Sequence, residues 1–192
     1  NRLGGNGIAD STVFGGIAGD TAARWLAGCG APGELDADAV KRAVERWELP
    51  FTQSPGDLNA IRERLYELMW NDVGILREGR ALTRAVLELE SLHEQLRRTG
   101  VNAASRAYHL AWHDWMNLDS LLLVSKTITQ AALARCDSRG AHFREDYPQP
   151  GQLDKSAFTR IRLHGDAYSM QFVPVEFSRV APGASLIGQE PA

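Results

Sequence analysis

Asn117-Leu118-Asp119-Ser120-Leu121-Leu122-Leu123-Val124-Ser125-Lys126-Thr127-Ile128 decides the fold class. It holds no glycine or proline, and with Leu133 its apolar positions Leu118, Leu121, Leu122, Val124 and Ile128 surround a helix rather than alternate. Residues 102–135 therefore read as the longest helical stretch, with a bend allowed near Asn117–Asp119. A helix so apolar in its second half belongs at the centre of a bundle. Upstream, Leu82, Val86, Leu89, Leu92 and Leu96 form a stripe between Arg77 and Arg98, with Arg and Glu opposite and Gly100 as a stop. Before that, Asp57 starts a helix carrying Leu58, Ile61, Leu65, Leu68 and Met69 that ends near Asn71–Gly74, and Asp36 or Asp38 caps a shorter one reaching Trp47. Trp25, Trp47 and Trp70, all near helix ends, read as lids on the core.

The pattern changes after Pro148. Phe158, Ile161 and Leu163, then Tyr168, Met170, Phe172 and Val175, approach period two around His164-Gly165-Asp166-Ala167, which reads as a β-hairpin. Pro174 suits an edge, and residues 181–192 read as a loose tail. The expected fold is mainly α: a helical bundle, an N-terminal helix over residues 6–28 and a small C-terminal hairpin.

Composition narrows the functional classes. The 192 residues are 44% hydrophobic and 23% charged with a net charge of −3, as for a globular protein without a basic surface for nucleic acid or an anionic membrane. No apolar run is long enough to span a membrane. Two distant cysteines, Cys29 and Cys136, fit a reducing compartment, so a cytoplasmic location is expected.

The remaining signal is at the start: Asn1-Arg2-Leu3-Gly4-Gly5-Asn6-Gly7-Ile8, then a small-residue helix with Gly15, Gly16 and Gly19. Glycines at a helix entrance admit close backbone approach, and the N–H groups there can hold an anion or a carbonyl oxygen. The run resembles the segment His-Gly-Ala-Asn-Arg-Leu-Gly-Gly-Asn-Ser-Leu that closes the flavin site in the succinate dehydrogenase/fumarate reductase flavoprotein family, which includes L-aspartate oxidase. Met69-Trp70-Asn71-Asp72-Val73-Gly74-Ile75-Leu76-Arg77 is similar to a helix-end motif of that family's C-terminal region, nearest the aspartate oxidase version. Ser138-Arg139-Gly140-Ala141-His142, with Asp146-Tyr147-Pro148, is similar to its Ser-Arg-Gly-Ala-His signature.

The resemblance implies a C-terminal portion of an FAD-dependent dicarboxylate oxidoreductase, an expectation that the absence of a starting Met accompanies. Residues 1–33 would be the last helix of the FAD-binding domain, 34–148 a helical bundle and 149–192 a β appendage. Arg2 would bind a substrate carboxylate, and Gly7 and Ile8 would contact the flavin. Gly7 stands where the family usually has Ser, so flavin binding is expected to persist with altered tuning. The catalytic arginine and the phosphate loop lie upstream in the family, so no catalytic residue is expected in this chain, which alone should be inactive and without FAD. Expected partners are the upstream FAD-binding and capping domains, a dicarboxylate substrate and, in complex-forming members, an iron–sulfur subunit that would place the protein at the inner membrane face. An aspartate-oxidase-like amine oxidation and a self-standing helical interaction module are the alternatives; an exposed apolar face on residues 8–27 would count against the second.

Other constellations carry less. His109 and His113, at i, i+4, lack a third ligand, so no metal site is expected. Ser138 beside His142 lacks a partner acid, and Arg139, His142, Arg144 and Asp146 read instead as a polar interdomain network.

Overall fold

A computed structural model describes residues 6–31, 33–102, 105–164, 167–178 and 180–184. Among them are five α-helices: α1 (Asn6–Ala27), α2 (Ala37–Glu48), α3 (Leu58–Asp72), α4 (Gly79–Arg97) and α5 (Leu110–Ala134). Strand β1 (Leu76–Arg77) pairs in parallel with β2 (Phe143–Arg144), and β3 (Ala157–His164) pairs with β4 (Ala167–Pro174) as the hairpin, from Ala157 opposite Pro174 to His164 opposite Ala167.

Helices α2 and α3 start at acidic caps. Asp36 and Asp57 accept hydrogen bonds from the N–H groups of Ala39 and Ala60, at 2.9 and 3.0 Å, each satisfying a donor the first turn cannot use. Helix α5 begins at Leu110, later than the expected start at 102. Tyr108 takes a left-handed backbone (φ 59°), and His109 then caps the helix by accepting from the N–H of Trp112 at 3.1 Å. No break occurs at Asn117–Asp119.

Helices α3, α4 and α5 share one core of Ile61, Leu65, Leu89, Leu92, Leu96, Val101, Trp115, Leu118 and Leu122. Trp115 also spends its polar edge there: Nε1 donates to the carbonyls of Leu96 and Thr99 at 3.1 and 3.0 Å, capping the end of α4. Gly100 follows because the backbone passes against Pro50 and Gln53, where a Cβ has no room; its N–H donates to Ser54 O at 2.8 Å.

Two expectations fail. Helix α5 is buried on one face only: Leu122 is 0% exposed, but Leu121, Val124 and Ile128 are 39%, 54% and 43% exposed. Its apolar back reaches solvent because α3 and α4 pack on the same side. Trp25 and Trp70 are exposed as well, and only Trp47 packs against the core.

The adjacent leucines give a direct test. Leu122→Ala should destabilise the chain by about 2–5 kcal/mol in urea unfolding, whereas Leu121→Ala should cost less than about 1 kcal/mol. Equal losses would contradict the one-sided burial of α5.

Candidate functional site

Helix α1 presents the first candidate. Gly7 and Ile8 lie in its first turn, where backbone N–H groups have no partner within the helix. The hydroxyls of Ser11 and Thr12 fold back onto the carbonyls of Gly7 and Ile8, at 2.7 and 3.0 Å. A Cβ on Gly7, Gly15, Gly16 or Gly19 would meet nothing within 4 Å, so no packing among the described residues requires these glycines. Along the same helix Ile8, Phe14 and Trp25 are 81%, 61% and 68% exposed, as are Val13, Ile17 and Leu26 in large part. An amide-rich entrance with open glycines fits the flat, electron-rich edge of a cofactor. Arg2 lies outside the described residues.

The second candidate is the junction between α4, α5 and the hairpin, and it brings together Arg139, His142, Arg144 and Asp146. Arg144 is buried at the end of α5. Its Nη1 donates to the carbonyls of Ala132, Leu133 and Arg135 at 2.9, 3.0 and 3.1 Å, answering acceptors that the helix leaves open. Its Nε and Nη2 grip Asp146 with two bonds of 2.7 Å. Asp146 Oδ2 in turn accepts from the N–H of Gly79 at 3.0 Å, capping α4; a Cβ on Gly79 would collide with that carboxylate. Asp137 binds Arg135 at 2.8 Å and Arg139 at 2.9 Å. These two arginines reach the hairpin region through Ala157 O at 3.0 Å and Ser156 Oγ at 2.6 Å.

The same junction settles the role of Ser138. Its Oγ donates to Tyr147 O at 2.7 Å and accepts from the N–H of Arg144 at 2.8 Å, so it pins the loop and is not poised as a nucleophile. His142 instead receives Arg77, whose Nη1 donates to Nδ1 at 2.7 Å. An accepting Nδ1 makes that imidazole neutral. Burial, aided by the charges of Arg77 and Arg135, holds its pKa below the usual value.

Sequence reasoning missed Arg77 as the partner of His142, and it missed a second buried cluster. Asp119 accepts from Arg46 at 2.6 Å and lies 2.7 Å from His93 Nε2, tying α2, α4 and α5 together. Burial alone would raise the Asp119 pKa, but the bonds from His93 and Arg46 outweigh it and hold it below the ordinary carboxylate value. The available signal was polar residues inside apolar faces: His93 next to Leu92, Asp119 next to Leu118. His109 is a helix cap bonded to Asn102 O at 2.8 Å, and no metal-binding cluster occurs among the described residues. None of the described helices is long and apolar enough to cross a membrane.

Residues 62–186 match the family described as fumarate reductase flavoprotein C-term. The chain is 30% identical to the fumarate reductase flavoprotein subunit of Mycobacterium tuberculosis, over 98% of this chain and 34% of that protein. It is 34% identical to the 8-methylmenaquinol:fumarate reductase flavoprotein subunit of Wolinella succinogenes, over 77% of this chain and 24% of that protein. Among solved structures, it superposes on a quinol–fumarate reductase with menaquinol molecules with a TM-score of 0.84 and 26% identity, covering 95% of this chain and 32% of that one. The Mycobacterium smegmatis Sdh1 complex with UQ1 gives 0.83 and 28%, covering 92% and 30%. The chain thus spans roughly a quarter to a third of the length of the curated relatives it matches.

The junction makes a pH prediction. The hydrogen bonds from Arg144, with that from Gly79, lower the Asp146 pKa from 3.8 to about 2. A folded pKa below the unfolded one stabilises the fold above the unfolded value, and the contribution disappears as pH falls through the folded one. Urea midpoints should therefore drop between about pH 4 and pH 2, and Asp146→Asn should be less stable at neutral pH with a shallower acid slope. An unchanged slope in that variant would contradict the assignment.

Proposed function

Because the chain belongs to the fumarate reductase/succinate dehydrogenase flavoprotein family, we propose that it is the C-terminal part of an FAD-dependent oxidoreductase acting on a dicarboxylate of the succinate/fumarate type. Helix α1 completes the flavin domain, residues 34–148 brace it, and residues 149–192 form an appendage. Arg2 binds one substrate carboxylate with its planar fork of donors. The amides of Gly7 and Ile8 face the flavin edge, where a helix N-terminus favours negative charge. Bound FAD would supply the two-electron chemistry; this chain supplies binding and orientation. The catalytic proton donor belongs to the upstream capping domain, and the isolated chain is inactive. An iron–sulfur subunit is the proposed electron-transfer partner, and it would hold the enzyme at the inner membrane face.

Helix α1 carries this proposal. Ile8, Val13, Phe14, Ile17, Trp25 and Leu26 would stand in water if the chain worked by itself, and such a helix calls for a covering surface. The same face speaks against a self-standing helical module.

In the full flavoprotein, Arg2→Gln should lower kcat/KM for fumarate by about 10- to 100-fold, the loss of one charge-assisted bidentate contact, with FAD content unchanged. Wild-type kinetics in that variant would overturn the role of Arg2. The 192-residue chain should purify without flavin absorbance and without fumarate-reducing activity. Stoichiometric flavin on the isolated chain would overturn its assignment as a partial site.

A further inference from the structure

Between the second half of α5 and the start of β3 runs a cleft with a polar side of Arg77, His142 and Ser156 and an apolar side of Ile128, Phe158 and Val175. Within it, Arg77 is half-buried and its charge is unanswered. Its Nε donates to the carbonyls of Val73 and Gly74, both at 3.0 Å, and its Nη1 to His142 Nδ1 at 2.7 Å. All three acceptors are neutral. Among the described residues no carboxylate pairs with Arg77, and its Nη2 makes no hydrogen bond. The nearby carboxylates are committed elsewhere: Asp137 to Arg135 and Arg139, and Asp146 to Arg144. Burial, together with the Arg144 guanidinium, lowers the Arg77 pKa, as expected for a cation without a counter-ion.

A guanidinium taken partly out of water is costly unless it is paired. The arrangement already satisfies three donor contacts of Arg77 and holds the plane of its fork, so the remaining edge is pre-organised for an anion. We propose that this cleft binds one carboxylate attached to a short apolar body, with Arg77 as its anchor. The planar edge left on Arg77 matches a carboxylate, and Arg135 and Arg139, which also line the cleft and share the one carboxylate of Asp137, add to its positive charge. The wall of Ile128, Phe158 and Val175 receives the carbon chain beside it. The carboxylate comes from a free small acid or from an Asp or Glu side chain of another polypeptide segment, and the chemistry of capture is the same.

Butyrate is the probe, titrated into the 192-residue chain while the His142 imidazole nitrogens are followed by NMR. A saturable shift is expected that 1-butanol does not reproduce. Arg77→Gln should abolish it, and Arg77→Lys, which keeps the charge but not the fork, should weaken it by about tenfold. If Arg77→Gln does not fold, the Arg77→Lys affinity decides. No saturable shift in the wild type, or an undiminished one in the variants, overturns the site. Repeating the titration on the chain extended by the proposed upstream flavin-binding portion separates the sources. A retained shift identifies a free acid, and a shift lost only on extension identifies a side chain of that portion. The first arm does not depend on the flavoprotein proposal, so either can fail alone.

Discussion

The buried guanidinium of Arg144 is the contact on which the bundle depends. One side chain closes the open carbonyls at the end of α5, and through Asp146 it closes the open N–H at the start of α4. Its own strand, β2, pairs with β1 at the entrance to α4. Removing Asp146, which is itself exposed, leaves the buried Arg144 guanidinium without its counter-charge. At the opposite end of α4, Trp115 performs the corresponding task for the last carbonyls. The two longest helices of the core are thereby locked at both ends of their contact, with Leu89, Leu92, Leu96, Leu118 and Leu122 filling the space between.

This gives α3, α4 and α5 an interior of their own, and the hairpin joins them through Arg135, Arg139 and Asp137. Helix α1 has no such interior. Its apolar residues are exposed and its glycines are open. The bundle is the rigid part, and α1 is the element whose order, in the proposed flavoprotein, comes from what covers it.

Much of this is legible in the sequence. Asp57 as a cap, Gly100 as a stop and the stripe from Leu82 to Leu96 are local signals, each with a nearest-neighbour cause, and they fell where expected. The hairpin pairing, which ends at His164 opposite Ala167, was equally local. What escaped was long-range. Arg144 reads from sequence as part of a polar network with Arg139, His142 and Asp146, but nothing nearby in sequence reveals that the carbonyls of Ala132 and Leu133 converge on it. The parallel pairing of Leu76 with Phe143 has the same cause. The apolar back of α5 misled in the other direction: Leu121, Val124 and Ile128 promise burial, and within these residues only one face is covered. For the site, the glycine-rich entrance was readable from residue type, whereas Arg77 beside His142 needed the fold to bring them together.

Hydrogen exchange on α1, compared between the 192-residue chain and the same chain extended by the flavin-binding portion, reads what orders this helix. Fast exchange is expected along Gly7–Ala27 in the shorter chain, with strong slowing there on extension and unchanged protection of the core of α3, α4 and α5 in both. Equal protection of α1 in the two would contradict it, because the helix would then owe its order to nothing beyond this chain.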